Sequence, residues 1–309
     1  MEDQTKKFGI EKIPLVLNVD EIAQVIYGLL VNVLANLEVD AMDAHEISAL
    51  CIQIAKQSQN VIDYERSARE LFEGRNLESN IQKKFKDRAK LIQEQVLPHL
   101  LFPGNVLDLG CGDGGVGKLI AAKGFDVQLA DVYEHPQAMR TGLKHDLLKE
   151  GERLPYEDGS FYNIILALVL HHSDDPDFLL REAKRILKPE GKIILIESEY
   201  GIKAEGIDAK LVKEAEFFLN LNDTMQRFSN AYFDHLYNRI LHYSDDPSQK
   251  VNVPCNFDTP EGWKQRIEKA GLEQEKFIQL GLDHPIVPEW HTLRRIIHRT
   301  SFQLQSPAC

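Results

Sequence analysis

Cysteine is scarce and scattered in this chain of 309 residues. Cys51, Cys111, Cys255 and Cys309 form no C-x-x-C step. Their spacing gives no zinc signal and suits a reducing compartment. Basic residues are in deficit: 36 Lys and Arg stand against 48 Asp and Glu, a net charge of −12. No extended nucleic-acid surface is expected, because phosphate binding needs clustered cations, although a small basic patch is still compatible with the total. Long uncharged apolar runs are also missing. The region Ile13–Leu37 is interrupted by Asp20, Glu21, Gln24 and Asn32, so no membrane span is expected. Met1–Lys7 leads into no continuous apolar core, so no secretory signal is read and a cytoplasmic protein is expected. What is present is an ordinary globular composition, 43% hydrophobic and 27% charged. The length allows one large domain with an accessory part, or two small ones.

The chain is organised around Val106-Leu-Asp-Leu-Gly-Cys-Gly-Asp-Gly-Gly-Val-Gly117. An apolar run reads as a buried strand, breaks into glycines, and continues through Leu119 and Ile120 as a helix. Strand, glycine loop and helix form the unit by which an open α/β sheet brings backbone N–H groups up to a nucleotide-like ligand. Gly110, Gly112 and Gly115 also fit the dinucleotide pattern G-x-G-x-x-G, which alone is a weak signal. Asp108 discriminates. Two residues before the first glycine, a dinucleotide site wants an apolar strand residue, and a carboxylate there needs a partner such as the ammonium of S-adenosylmethionine (SAM). Asp131 ends the next apolar run, Phe125–Ala130, about 20 residues after the loop. An acid so placed accepts hydrogen bonds from ribose hydroxyls, and Val132 follows to pack on an adenine face.

Asp108-Leu-Gly-Cys-Gly-Asp-Gly114 resembles the first motif of class I SAM-dependent methyltransferases. Downstream, Leu154-Pro-Tyr-Glu-Asp-Gly-Ser-Phe161, then His171-His172, then Lys188-Pro-Glu-Gly191, resemble the central part of the ubiquinone-biosynthesis-like, type 11 methyltransferase group. Tyr162-Asn163 and Glu190 depart from the usual letters without removing a group the chemistry needs. The resemblance covers residues 78–200 strongly and 255–300 moderately. It implies an α/β fold with a Rossmann-like, seven-stranded mixed sheet over residues 75–309, its last two strands being Gln274–Leu282 and His291–Arg299. It also implies a cofactor, SAM, held by Asp108, Gly110, Cys111, Gly112, Asp131, Val132 and Ala167. Asp146 would meet the adenine amino group and Leu147 the ring. Arg88, with Lys84 or Lys86, would face the methionine carboxylate.

Outside the resemblance lie two helical parts. Residues 1–74 form a helical extension: Ile22, Val25, Ile26, Leu29, Leu30, Val33, Leu34 and Leu37 make one apolar stripe, Asp43–Glu46 resembles a capping box, and a third helix runs from Val61 to Phe72. It reads as a docking layer, a homodimer surface or a substrate cover. Residues 201–253 form a helical insertion after strand five, read as core packing or as a lid over the acceptor pocket that Tyr232, His235 and Tyr243 line in part.

Ligands of open α/β sheets bind outside the carboxyl ends of the strands. That rule gathers His171 and His172 after strand four, Glu197 and Tyr200 after strand five, and Asp283, His284, Glu289, Trp290 and His291 between strands six and seven. His172 or His291 is the expected base, Glu289 orients the acceptor and Trp290 faces a cationic group, with Tyr200 and His284 completing the catalytic set. His171 and Glu197 join the acceptor-binding set. The carboxylates of Asp174, Asp175 and Asp177 beside the two histidines could suggest a metal, but capping of the next helix explains them, and no metal is expected. The expected activity is methyl transfer to a small-molecule acceptor at O, N or S. A protein or tRNA acceptor, a SAM-binding scaffold without turnover and a nicotinamide dehydrogenase are the alternatives.

Overall fold

A computed structural model describes residues 13–75, 78–203, 205, 216, 218–241 and 251–278. The chain divides into two compact units. One gathers the chain up to Arg88 with Ser198–Phe257; the other gathers Ala89–Glu197 with the segment from Asp258.

The first unit is helical. It contains α1 (Ile13–Val16), α2 (Asp20–Asn36), α3 (Ala41–Gln57), α4 (Val61–Glu73) and the start of α5 (Glu78–Val96). It also contains α9 (Asp223–His235), which runs on into a π-helical turn, Leu236–Leu241. The stripe read from Ile26 to Leu37 is buried, and it meets Ile47 and Cys51 of α3, Tyr64 and Ala68 of α4, and Phe228, Tyr232 and Leu236 of the α9 region in one core. The N-terminal helices and the post-β5 segment therefore share a single interior. One expected boundary shifts: α3 is capped by Asp40, whose side chain accepts from the Met42 N–H at 2.8 Å, and Asp43 lies inside the first turn. No helix of the described residues is long and apolar enough to cross a membrane.

The second unit is a parallel sheet with helices. Its elements are β1 (Asn105–Leu109), α6 (Gly115–Ala121), β2 (Asp126–Asp131), α7 (Pro136–Met139), β3 (Lys144–Leu147), β4 (Phe161–Ala167), α8 (Pro176–Ile186), β5 (Leu187–Ile196) and α10 (Pro260–Lys269). The strand order is β3-β2-β1-β4-β5, and every pairing is parallel. β1 and β4 are buried along almost their whole length, as continuous apolar runs covered on both faces should be. Leu107, Leu109, Ile164, Leu166 and Leu195 pack with Leu180 and Ala183 of α8 and Trp263 and Ile267 of α10. Both helices start as their letters dictate: Asp175 caps α8 and Thr259 caps α10, each with Pro at the next position. Pairing jumps from Phe161–Leu187 to Asn163–Lys192, so β5 carries a bulge at Lys188–Gly191.

The described sheet has five strands, which corrects the expected seven-stranded mixed sheet. Residues 274–278 form no strand. Gln274, Glu275 and Lys276 open that segment, and no side chain from Gln274 to Ile278 is buried, so it has no apolar face to lay on a core. The other expected strand, His291–Arg299, lies outside the described residues.

Candidate active site

The site is built at the carboxyl ends of β1, β2, β4 and β5. After Leu109 the chain turns through Gly110 and Gly112, both at positive φ (78° and 53°). A Cβ on Gly110 would sit 2.5 Å from the Val169 side chain, so this position closes the turn against the β4 loop. A Cβ on Gly112 would meet nothing within 4 Å. The backbone at Gly112 thus faces open space, which is what a ligand touching main chain requires.

Asp108 is 3% exposed, and its Oδ2 has no hydrogen-bond partner. Burial raises its carboxyl from 3.8 to about 7; the Gly117 N–H opposes this, and the charges of Asp131 and Asp113 add to it. A buried carboxylate oxygen left without a donor is costly, and a cationic ligand group would relieve that cost. Asp131 is also buried, but Oδ2 accepts from the Gly112 N–H at 2.8 Å and Oδ1 from the Tyr133 N–H at 3.2 Å. Burial still raises its carboxyl, against the N–H groups of Gly112, Tyr133 and Val132. Cys111 is buried beside both acids; burial first, then the charges of Asp108 and Asp131, push its thiol up, so it is no nucleophile.

Asp146 ends β3 and accepts from the Gln128 side-chain amide and from the Tyr156 hydroxyl at 3.0 Å, with Lys144 Nζ at 3.5 Å. Leu147 beside it is 54% exposed. Val132 packs partly against the sheet core, and Ala167 ends β4, half-buried.

Beyond Ala167, Leu168 takes a left-handed backbone (φ 63°), an uncommon conformation for a branched side chain. Glu197, at the end of β5, holds the loop that follows. Its Oε1 accepts from the Val169 N–H at 3.0 Å and the Leu170 N–H at 2.6 Å, and its Oε2 lies 2.6 Å from His171 Nδ1. Glu197 and His171 are both buried. The His172 ring lies beside that of His171, with centroids 4.2 Å apart. Of the neighbouring acids, Asp175 caps α8, while Asp177 pairs with Arg266 at 2.7 Å and Lys269 at 3.0 Å. Those pairs outweigh burial and lower the Asp177 carboxyl.

The second unit therefore brings together Asp108, Gly110, Cys111, Gly112, Asp131, Val132, Ala167, His171, His172 and Glu197 around the strand ends. Asp146 and Leu147 also end a strand of this unit, β3, and the remaining expected residues belong to the first unit or are not described. Arg88 lies half-buried on α5. Tyr200 packs against the Val253–Phe257 cluster, with the Arg227 guanidinium 5.5 Å from its ring. Tyr232 and His235 are fully buried in the helical core: the Tyr232 hydroxyl is 3.0 Å from that of Tyr64, and His235 Nε2 is 3.0 Å from Glu65 Oε1. Tyr243, His284, Glu289, Trp290 and His291 lie outside the described residues. Sequence reasoning missed the strained Leu168 and the hold of Gln128 and Tyr156 on Asp146. A polar Gln inside an apolar strand was the available signal for the second; nothing in the letters marks the first.

Residues 107–195 match the family described as "Methyltransferase domain". The chain is 30% identical over 102 residues to a demethylmenaquinone methyltransferase of Thermotoga maritima, covering 31% of this chain and 44% of that protein. It is 29% identical over 112 residues to a ubiquinone biosynthesis O-methyltransferase of Aliivibrio fischeri, covering 34% and 48%. The chain thus spans less than half the length of either relative. A solved structure from Thermotoga maritima, a SAM-dependent methyltransferase described as a possible histamine N-methyltransferase, aligns with a TM-score of 0.48 and 18% identity over 73% of this chain and 96% of that one. The buried Asp108, the glycine turn and the strand-end carboxylates all lie within or beside the stretch, residues 107–195, that is similar to methyltransferase domains.

Proposed function

We propose that the protein transfers the methyl group of SAM to a small organic acceptor. The observation that carries this reading is the Asp108 oxygen, buried and without a donor beside a turn whose backbone faces open space. In this reading Asp108 holds the cofactor's ammonium, and Gly110–Gly112 admits its amino-acid part to the main chain. Asp131 keeps unused lone pairs for the ribose hydroxyls, because each of its oxygens accepts one backbone N–H. Val132 and the exposed Leu147 cover the adenine faces, and Asp146, fixed by Gln128 and Tyr156, receives the adenine amino group.

When bound, the sulfonium supplies an electrophilic methyl carbon for in-line displacement. The chain's own contribution is largely alignment, for which effective molarities on the order of 10⁵ M or more are known in well-held pairs. The names of the two relatives place them on quinone-pathway small molecules, and the net charge of −12 disfavours RNA, so both support a small acceptor.

Calorimetry with S-adenosylhomocysteine and with NAD tests the cofactor, and a labelled-methyl screen over pooled metabolites tests the acceptor. Binding of the former nucleoside and label in a small-molecule product are expected. Binding of NAD alone would overturn the reading.

A further inference from the structure

Asp146 is gripped through one of its two oxygens. Gln128 of β2 pairs in register with Lys144 of β3, and Asp146, two residues further along, shares the face of Lys144. The Gln128 side-chain amide and the Tyr156 hydroxyl, the latter at 3.0 Å, both donate to Asp146 Oδ2. Lys144 Nζ lies 3.5 Å from the same oxygen. Among the described residues all three partners thus meet Oδ2, and Oδ1 keeps its lone pairs for a ligand.

Tyr156 is itself fixed from behind. Its carbonyl accepts from Arg185 Nη1 at 2.7 Å, and Arg185 Nη2 donates to the Leu154 carbonyl at 3.0 Å. Glu182, paired with Arg185 at 2.7 Å, accepts from the Leu154 N–H at 2.9 Å. The Tyr156 ring stands edge-on to that of Phe161, with centroids 5.1 Å apart. Helix α8 therefore pins the turn that carries the ring. Burial first, then the charge of Asp146, push the phenol up, so its hydroxyl stays a donor.

Resting on the methyltransferase reading, we infer that Tyr156 is a positioning residue for the cofactor's base: its hydroxyl, with the Gln128 amide, fixes Asp146 so that Oδ1 takes a 6-amino purine and refuses a 6-oxo one. A 6-amino purine offers an N–H, which a carboxylate oxygen accepts. A 6-oxo purine puts a carbonyl oxygen at the same place, and two acceptors repel. A carboxylate free to swing would recover by moving to the N1–H of the 6-oxo ring. One anchored through its other oxygen does not follow. Selectivity for adenosyl over inosyl compounds then depends on a hydroxyl bound to the far oxygen of the acid that reads the base.

Calorimetry on the full chain with S-adenosylhomocysteine and with S-inosylhomocysteine, its 6-oxo counterpart, reads this selectivity as a ratio of affinities. Wild type should prefer the adenosyl compound by about 10²-fold, the scale of a polar group left unpaired in a site. Tyr156→Phe keeps the ring on Phe161 and removes only the donor, and it should lower the ratio by about tenfold, as for one hydrogen bond to a charged group. A ring that served packing alone would weaken both compounds equally and leave the ratio where it was. Gln128→Met is close in volume, removes the other donor, and should lower the ratio in the same direction. In an Asp146→Ala background the preference should already be lost, and Tyr156→Phe should move the ratio by less than about threefold.

Equal wild-type affinities, a ratio untouched by either substitution, or an undiminished effect of Tyr156→Phe without Asp146 would each overturn the inference. Those results, with S-adenosylhomocysteine still bound, leave methyl transfer standing. A wild-type chain that binds no S-adenosylhomocysteine would overturn both together.

Discussion

Replacing Asp108 with Asn should stabilise the empty protein and weaken its hold on SAM, two effects of opposite sign from one buried oxygen. In the folded state the carboxyl is raised from 3.8 to about 7, chiefly by burial. Between those values the folded chain binds more protons than the unfolded chain, so stability falls as pH rises through that window and the full penalty is present above it. At about 1.4 kcal/mol per pH unit the penalty at pH 8 is on the order of 4 kcal/mol. Asn removes the charge but leaves an amide that must still find partners, at about 1–3 kcal/mol. A net gain of about 1–3 kcal/mol should remain, a rise in Tm of several degrees at pH 8 that shrinks toward pH 4. Cofactor binding should weaken by about 10²-fold or more, because a buried charge loses its partner. Wild-type protein should also release a proton on binding near pH 6, since an ammonium beside Asp108 favours the ionised form. Differential scanning fluorimetry across pH, with calorimetry in two buffers of different ionisation heat, reads all three quantities. An apo Asn variant less stable than wild type at pH 8, with unchanged affinity, would refute the argument.

The two turn glycines should separate folding from binding. Gly110→Ala drives a Cβ to 2.5 Å from Val169 at positive φ and should destabilise the fold by about 2 kcal/mol or more, whereas Gly112→Ala meets nothing and should cost about 1 kcal/mol while weakening SAM binding by calorimetry. In the helical unit, Glu65→Gln leaves Arg239 and His235 without their carboxylate and should cost about 3 kcal/mol in urea denaturation followed by circular dichroism. The same unit should weaken in acid. Burial raises the Glu65 carboxyl, but His235 and Arg239 outweigh it and hold it low, while burial lowers His235 against the pull of Glu65. Both groups take up protons more readily when unfolded, so stability should be lost as pH falls below about 6.5, and the part lost below about 4.5 should be smaller in the Gln variant. Equal losses below about pH 4.5 would exclude Glu65 as a source of that dependence.

Local patterns were legible because local physics makes them. The apolar run into Gly110 read as a strand and a turn, Asp131 as a strand end, and Asp175-Pro176 as a helix start, since each depends only on neighbours in sequence. The α2 stripe likewise read correctly as a helix, but its partner did not. Tyr64 and Tyr232, 168 positions apart, meet hydroxyl to hydroxyl, and Glu65 meets His235 170 positions on. Nothing in a short window encodes such a pairing, so the extension and the insertion were read as separate parts. The supernumerary strand failed for another reason. The strand read over Gln274–Leu282 came from the family's usual plan, and its described part, Gln274–Ile278, opens on polar letters and forms none.

The treatment of buried carboxylates supplies the strongest argument for the site. Glu65 has His235 and Arg239 on its oxygens. Glu197 has two N–H groups and an imidazole, and Asp131 has an N–H on each oxygen. These three buried acids are satisfied, one of them by a partner 170 residues away. A fold that does so has no general reason to leave Asp108 Oδ2 without a donor at the end of its central strand. Apolar residues would stabilise that position better, as Leu107 and Leu109 on either side of it do. The rule that Glu65, Glu197 and Asp131 keep is broken at the Asp108 Oδ2, which marks a demand other than folding. The demand that matches a lone anion beside open backbone is a cation carried on an amino acid.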